Sequence, residues 1–438
     1  MTNALSQPTP TTARRADWAL AAWSVTAAFG TYFCMYGFRK PYTAAGFAGG
    51  TIWGLGEKPV LVGAQVLGYT ASKVLGIRVI AEMPPARRAG GIIALVVAAE
   101  ATLVLFGALP QPLHVGCLFL NGLALGLVYG LVVGFLEGRR TTEALTAGLC
   151  ASFIVADGVT KSVGIALLGA GVSERWMPAL AGLIFLPALL LFVGMLTRIP
   201  PPDAYDQAHR SVRPPMDRQD RTDLLRRYRT GLAAVMAAFV LVTIARSIRA
   251  DFAPEIWRAL GVSAVPATFA NSELVVATGV LVACGLTVRI VDNRTAFLTS
   301  IGVSIAGALL MMVALAAVQR SAVGGFAFMV LLGLGLYLPY VAVHTTTFER
   351  LLATTRARGN LGFLMYVADS AGYLAYAALM VGQSVFPTPR GFLPFFTTTC
   401  WVIAVTTTAC LALSGWYFAA RFRAASPTPD RDPAHARP

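Results

Sequence analysis

Arg39 and Lys40 adjoin in the segment Tyr32-Phe33-Cys34-Met35-Tyr36-Gly37-Phe38-Arg39-Lys40-Pro41-Tyr42. Two neighbouring cations among aromatic rings make an anion-binding surface, with the hydroxyls of Tyr36 and Tyr42 as further donors. Arg246-Ser247-Ile248-Arg249-Ala250-Asp251 offers a counterpart later in the chain. Its two arginines share one helical face, with Asp251 placed near the outer mouth. Each cluster reads either as the lining of an interior cavity or as a ring of charge at the interface.

Lysine is rare: Lys40, Lys58, Lys73 and Lys161 are the only ones, and all but Lys58 fall within apolar runs. A charged side chain at the centre of a bilayer-spanning helix costs about 2.5–3.5 kcal/mol on insertion scales, so each calls for a partner or a wet cavity. Snorkelling from a helix end is the alternative, plausible for Lys40 and less so for Lys73 and Lys161. Asp157 and Lys161 stand four apart with the acid first, the favourable order for a helical ion pair. Either they neutralise each other or they form a charge switch. Glu100, Glu273 and Asp369 are further acids in apolar surroundings, candidates for proton coupling, and His344 reads as structural.

The elements that position these residues follow from composition. Of 438 residues, 56% are hydrophobic and 13% charged, about half the charge of a soluble domain. Runs of about 20 apolar residues predict helices over 18–46, 60–80, 90–109, 113–136, 142–170 and 176–197. A second set is predicted over 230–248, 267–288, 295–316, 322–345, 360–382 and 393–420. The fold class expected is all-α and polytopic, with twelve transmembrane helices in two six-helix bundles. The halves span 18–197 and 230–422, joined by a linker at 198–229 and flanked by disordered tails at 1–17 and 423–438.

Loop charge sets the orientation. Arg14, Arg15, Arg87, Arg88, Arg139, Arg140, Arg289, Arg294, Arg350, Arg356 and Arg358 all fall in connectors of one face. The other face holds few basic residues: Lys58, Arg175, Arg258, Arg320 and Arg390. This asymmetry places both termini in the cytoplasm and accounts for the net charge of +14 without nucleic acid. The halves also echo each other: Arg78 and Arg289 are 211 apart, while Glu137 and Glu349, like Asp157 and Asp369, are 212 apart. A shared offset of this kind marks an internal repeat.

Gly37-Phe38-Arg39-Lys40-Pro41-Tyr42, followed by Ala44, resembles the first-helix signature of organophosphate:phosphate antiporters, a branch of the major facilitator superfamily. Tyr69 and Ser72-Lys73 are similar to its second-helix Tyr-x-x-Ser-Lys. Arg246 with Asp251 and Pro254 is similar to its seventh-helix pattern, and Glu273 falls where it has an acid on helix eight. In that branch one arginine from each half grips the phosphate on a pseudo-twofold axis, a role the resemblance gives to Arg39 and Arg246. The chain departs from the branch on helix five, with Asp157 where a histidine stands. It departs again in a loop reduced to Gly76, Glu82 and Arg87-Arg88. As a whole it resembles an uncharacterised bacterial multi-pass family that shares the helix-one segment and Glu137-Gly138-Arg139-Arg140-Thr141-Thr142-Glu143.

The function expected is secondary transport of a small anionic solute, organophosphate- or phosphate-like, by alternating access in a bacterial inner membrane. Arg39, Lys40, Tyr36, Tyr42, Lys73, Arg246 and Glu273 would bind the solute. Asp157, Lys161, Asp369 and Glu100 would couple or pair charge. A proton-coupled carboxylate carrier and a non-transporting solute sensor are the rivals. No nucleotide-binding loop, metal cluster or nucleophile–base pair emerges from the sequence, so neither an enzyme nor a cofactor is expected. The partners expected are the solute and the bilayer, with the chain acting as a monomer.

Overall fold

In the bilayer a backbone must satisfy its own polar groups, and for a chain rich in Ala, Val, Leu and Gly the α-helix does so within each span. The computed structural model describes residues 10–48, 50–136, 142–201, 218–263, 265–355, 361–385 and 391–424. The first half comprises α1 (Pro10–Tyr36), α2 (Glu57–Glu82), α3 (Pro85–Ala108), α4 (His114–Leu125) leading into α5 (Val128–Leu136), α6 (Thr142–Gly169) and α7 (Met177–Leu196). A short helix, α8 (Arg218–Arg227), precedes the second half. There α9 (Arg229–Asp251), α10 (Ala253–Ala259), α11 (Pro266–Val288) and α12 (Asn293–Gln319) are followed by α13 (Gly325–Ala342). That helix runs through a π turn (Val343–Thr347) into α14 (Phe348–Thr355), before α15 (Leu361–Val385) and α16 (Phe392–Ala424).

Counting α4–α5 and α13–α14 as single spans gives six long helical spans per half among the described residues. Nine meet a criterion of length and apolarity for crossing a membrane. The other three, α1, α2 and α15, are as long, at 27, 26 and 25 residues. Leu183, Ile184 and Leu191 on α7 and Val275, Val282 and Leu286 on α11 are exposed, which is the surface a bilayer covers. Trp18 and Trp416 stand exposed near the end of the bundle where α1 begins, α16 ends and α8 lies, here the linker end. Trp53 and Trp176 stand exposed at the opposite, far end, the placement of interfacial aromatic belts.

Several boundaries differ from expectation. The first span stops at Tyr36 rather than continuing past Arg39, because Gly37, Phe38 and Arg39 switch to bonds three residues back and Pro41 then starts a 3-10 turn, Pro41–Ala44. It also begins at Pro10, inside the segment assigned to a disordered tail. The linker contains α8, and the tenth span reaches Thr355 by way of the π turn. Pro339, which lacks an N–H, loosens that helix just before it widens. Asp292 caps α12, accepting from the Thr295 N–H at 2.7 Å; hydrogen bonds from Thr295 hold its carboxyl below the usual range. Glu137–Thr141, Arg356, Arg358, Arg390 and the tails 1–9 and 425–438 lie outside the described residues, and with them the Glu137–Glu349 match.

Packing within each half is close. Glycine permits it where α2 crosses α4: a Cβ on Gly68 would lie 1.9 Å from the Phe119 carbonyl oxygen, and one on Gly122 would lie 2.1 Å from that of Gln65. Gly122 and Gly126 form the small-xxx-small spacing that lets backbones approach. The halves meet through α2 against α15 and α6 against α11, two contacts that exchange under a pseudo-twofold. Gly122→Val is expected to separate α2 from α4 and to destabilise the bundle by about 1–3 kcal/mol. Gly116→Ala, whose Cβ meets nothing within 4 Å, is the control that leaves the thermal unfolding midpoint in detergent unchanged.

Candidate functional site

The 3-10 turn that ends α1 leaves carbonyl groups without helical partners, and two neighbouring helices supply them. Gln65 of α2 donates from Nε2 to the Arg39 carbonyl at 2.9 Å, and Asn121 of α4 donates from Nδ2 to that of Phe38 at 3.1 Å. Gln65 also donates to Asn121 Oδ1 at 2.8 Å and accepts from the Tyr42 hydroxyl at 3.2 Å. Tyr42 therefore braces this turn, and the turn presents Arg39 and Lys40 to the interface between the halves.

The Arg39 guanidinium lies over the Tyr69 ring at 3.8 Å and 5.6 Å from the Tyr36 centroid. Arg246 of α9 lies over Tyr340 at 4.4 Å and donates to the Tyr373 hydroxyl at 3.3 Å. Among the described residues neither arginine has a carboxylate partner, and the Nε of each is buried without a hydrogen bond. Tyr69 of α2 and Tyr373 of α15 pack edge-on across the interface at 5.4 Å. Lys73 lies 5.3 Å from the first ring and 5.1 Å from the second. One aromatic pair is thus the common neighbour of Arg39, Arg246 and Lys73, and cation–π attraction in so buried a place contributes about 2 kcal/mol per contact.

All four lysines are paired with carboxylates. Lys40 holds Asp251, whose second oxygen accepts from Tyr376 at 2.9 Å. Lys58 reaches Glu255 at 2.5 Å and the Thr43 carbonyl at 2.8 Å. Lys73 holds Asp369, and Lys161 meets Asp157 at 2.7 Å on its own helix. The first three pairs cross from one half to the other. Two lie toward the far end: Lys40 and Asp251 close α1 and α9, while Lys58 and Glu255 sit just beyond. The third lies toward the linker end, Lys73 coming later in α2 and Asp369 early in α15. The unpaired arginines and the Tyr69–Tyr373 pair lie between.

Several expected binding residues therefore have other partners. Lys40 and Lys73 each hold a carboxylate. Asp369 is part of a cross-half pair rather than a lone acid, and Asp251 is buried rather than open at a mouth. Glu273 accepts from Arg249 at 2.8 Å, and Arg249 also donates to the Met329 carbonyl at 2.9 Å, which turns it away from the role of Arg246. Glu100 stands apart from the site: it lies beside Gly182 and Phe38 within the first half, and neither of its buried oxygens has a hydrogen-bond partner. Tyr340, Tyr373 and Tyr376 had not been singled out. Their signal was a tyrosine inside an apolar run, far from either interface, whose hydroxyl needs a buried partner.

A family described as a family of unknown function, DUF5690, matches residues 41–421. The crystal structure of a D-xylose-proton symporter is similar with a TM-score of 0.62 at 13% identity, covering 91% of this chain and 97% of that one. At that identity the likeness shows the fold, a polytopic bundle of the major facilitator type. No curated protein matches the sequence.

The pairing has a direct consequence for stability. Removing Lys40 strands the buried Asp251, and breaking such a pair costs about 3–5 kcal/mol. Lys40→Ala is therefore expected to lower the thermal unfolding midpoint in detergent. Lys40→Ala combined with Asp251→Asn is expected to recover most of the loss, because no uncompensated charge remains.

Proposed function

The chain belongs to the DUF5690 family, a family of unknown function, and from the geometry of its own site we propose that it is a secondary transporter of a small organic anion. The observation that carries this reading is a surplus of two. Seven buried cations line or adjoin the interface, and carboxylates neutralise Lys40, Lys58, Lys73, Lys161 and Arg249 but neither Arg39 nor Arg246. A phosphate monoester carries about −1.5 to −2 charge near neutral pH and three acceptor oxygens, which suits two guanidiniums supplied from opposite halves. Tyr36, Tyr69, Tyr340 and Tyr373 would hold the organic part by stacking and by their hydroxyls. A neutral sugar has no charge to offset the pair.

Charge-paired halves with a site between them suit alternating access. Lys40–Asp251 and Lys58–Glu255 would close the far end, and Lys73–Asp369 the linker end. Solute binding would offset the guanidinium charge and let the set at one end release while the other stays closed. The arginine-rich connectors orient the linker end and both termini to the cytoplasm of a bacterial inner membrane. Counter-exchange with inorganic phosphate is the working mode most compatible with a site that carries two fixed positive charges.

The test is exchange of labelled phosphate in proteoliposomes, with phosphate esters and carboxylates as external competitors. Arg39→Ala and Arg246→Ala are each expected to weaken uptake about 10- to 100-fold, the worth of one charge-assisted contact. Unchanged exchange in both variants would sink the anion-site reading, and competition by carboxylates alone would redirect it to their transport.

A further inference from the structure

Two hydrogen-bond acceptors face each other beside the pair that closes the linker end. His344 lies buried in the π turn, with Nδ1 3.1 Å from the Tyr340 carbonyl oxygen. A carbonyl only accepts, so Nδ1 carries the ring proton and Nε2 of the neutral ring carries a lone pair. That Nε2 lies 3.6 Å from Asp369 Oδ1, which has no hydrogen-bond partner, while Asp369 Oδ2 is held by Lys73. His344 and Asp369 belong to the second half and Lys73 to the first. One proton on Nε2 converts the ring from acceptor to cationic donor and gives Asp369 a partner inside its own half.

The surroundings of the ring are accounted for on each packed element. The charged groups that face it are the Asp369 carboxylate of α15 and two cations, Lys73 of α2 and Arg246 of α9. Tyr340 stacks at 4.5 Å and Phe239 at 5.1 Å. On the other side of the π turn, α11 brings Cys284 to Thr345 and α12 brings Ser300 to Thr347, both neutral groups, and α6 adds Cys150 near Asp369. Departure of Lys73 removes one of the two opposing cations, so proton uptake and separation of Lys73 from Asp369 assist each other by linkage.

We propose that His344 and Asp369 form a proton-binding site that controls the linker end: a proton taken up at His344 Nε2 ties Asp369 to its own half and releases Lys73. The proton comes from the solvent and forms a new N–H bond while no covalent bond breaks. This deepens the transporter reading, which it rests on for its purpose, by naming a proton site that regulates opening of the linker end.

The opening is measurable without any solute. Spin labels on Ala86→Cys, in the first turn of α3, and Val291→Cys, in the α11–α12 connector, both exposed at the linker end, report the separation of the halves in lipid vesicles, with the half-buried native thiol removed by Cys410→Ser. Between about pH 8 and about pH 4, a span that reaches below the ordinary histidine range, the open fraction is expected to rise about fivefold or more. In His344→Gln the rise should fall below about twofold, and Lys73→Gln should be open at both pH values. A His344→Gln protein that responds as its parent does, or a Lys73→Gln protein that stays closed at both pH values, overturns the proposal. If His344→Gln does not fold, the Lys73→Gln result alone decides. Arg39→Ala tests the anion site and should keep the pH response, so loss of phosphate exchange and loss of the proton switch are read separately.

Discussion

A buried ammonium must find a carboxylate, and in this chain three of four do so in the opposite half. Much of the architecture can be derived from that constraint. Apolar contacts such as α6 on α11 are non-directional and tolerate sliding, whereas an unpaired charge in a water-poor interior is penalised by several kcal/mol. The pairs therefore fix the register in which the halves meet, and they do so at both ends of the central tyrosine cluster.

The internal repeat explains where one of these pairs comes from. Lys40 and Asp251 are separated by 211 residues, the offset that also relates Arg78 to Arg289. Two equivalent positions of a parallel repeat meet each other only near its pseudo-twofold axis. A lysine in one copy and an aspartate in the other turn that meeting point into an ion pair. Asp157 and Asp369, 212 apart, show the opposite outcome. Each has a lysine, but Asp157 takes Lys161 from its own helix and Asp369 takes Lys73 from the other half. The symmetric scaffold thus carries asymmetric charge, with local pairing on one side and cross-half pairing on the other.

What the sequence made legible was the part that depends on local composition. Spans of the right length and number follow from hydropathy. Composition marks Arg39 no more than Lys40 and Arg246 no more than Arg249; only the resemblance to the antiporter branch separates them. Boundaries were less legible: nothing in the apolar text after Tyr36 signals that the helix ends there, since the turn depends on Gln65 and Asn121 arriving from other helices to satisfy its carbonyls. The partners were not legible at all. Lys58–Glu255 and Lys73–Asp369 join residues 197 and 296 apart, and only the folded interface brings them together. For the same reason the carboxylates at Lys40 and Lys73 and the Arg249 guanidinium at Glu273 have no trace in the sequence around those residues. The π turn that brings His344 to 3.6 Å from Asp369 likewise leaves no local pattern.

The central claim is that Arg39 and Arg246, left unmatched when every lysine and Arg249 are paired, form one anion site shared by the two halves. An experimental structure of the full chain with a phosphate ester bound tests it most directly. The account predicts a phosphate group within about 3 Å of guanidinium nitrogens from both arginines, with the organic part against the Tyr69–Tyr373 pair. An ester held by residues of one half alone, with the other guanidinium left as it is, would contradict it.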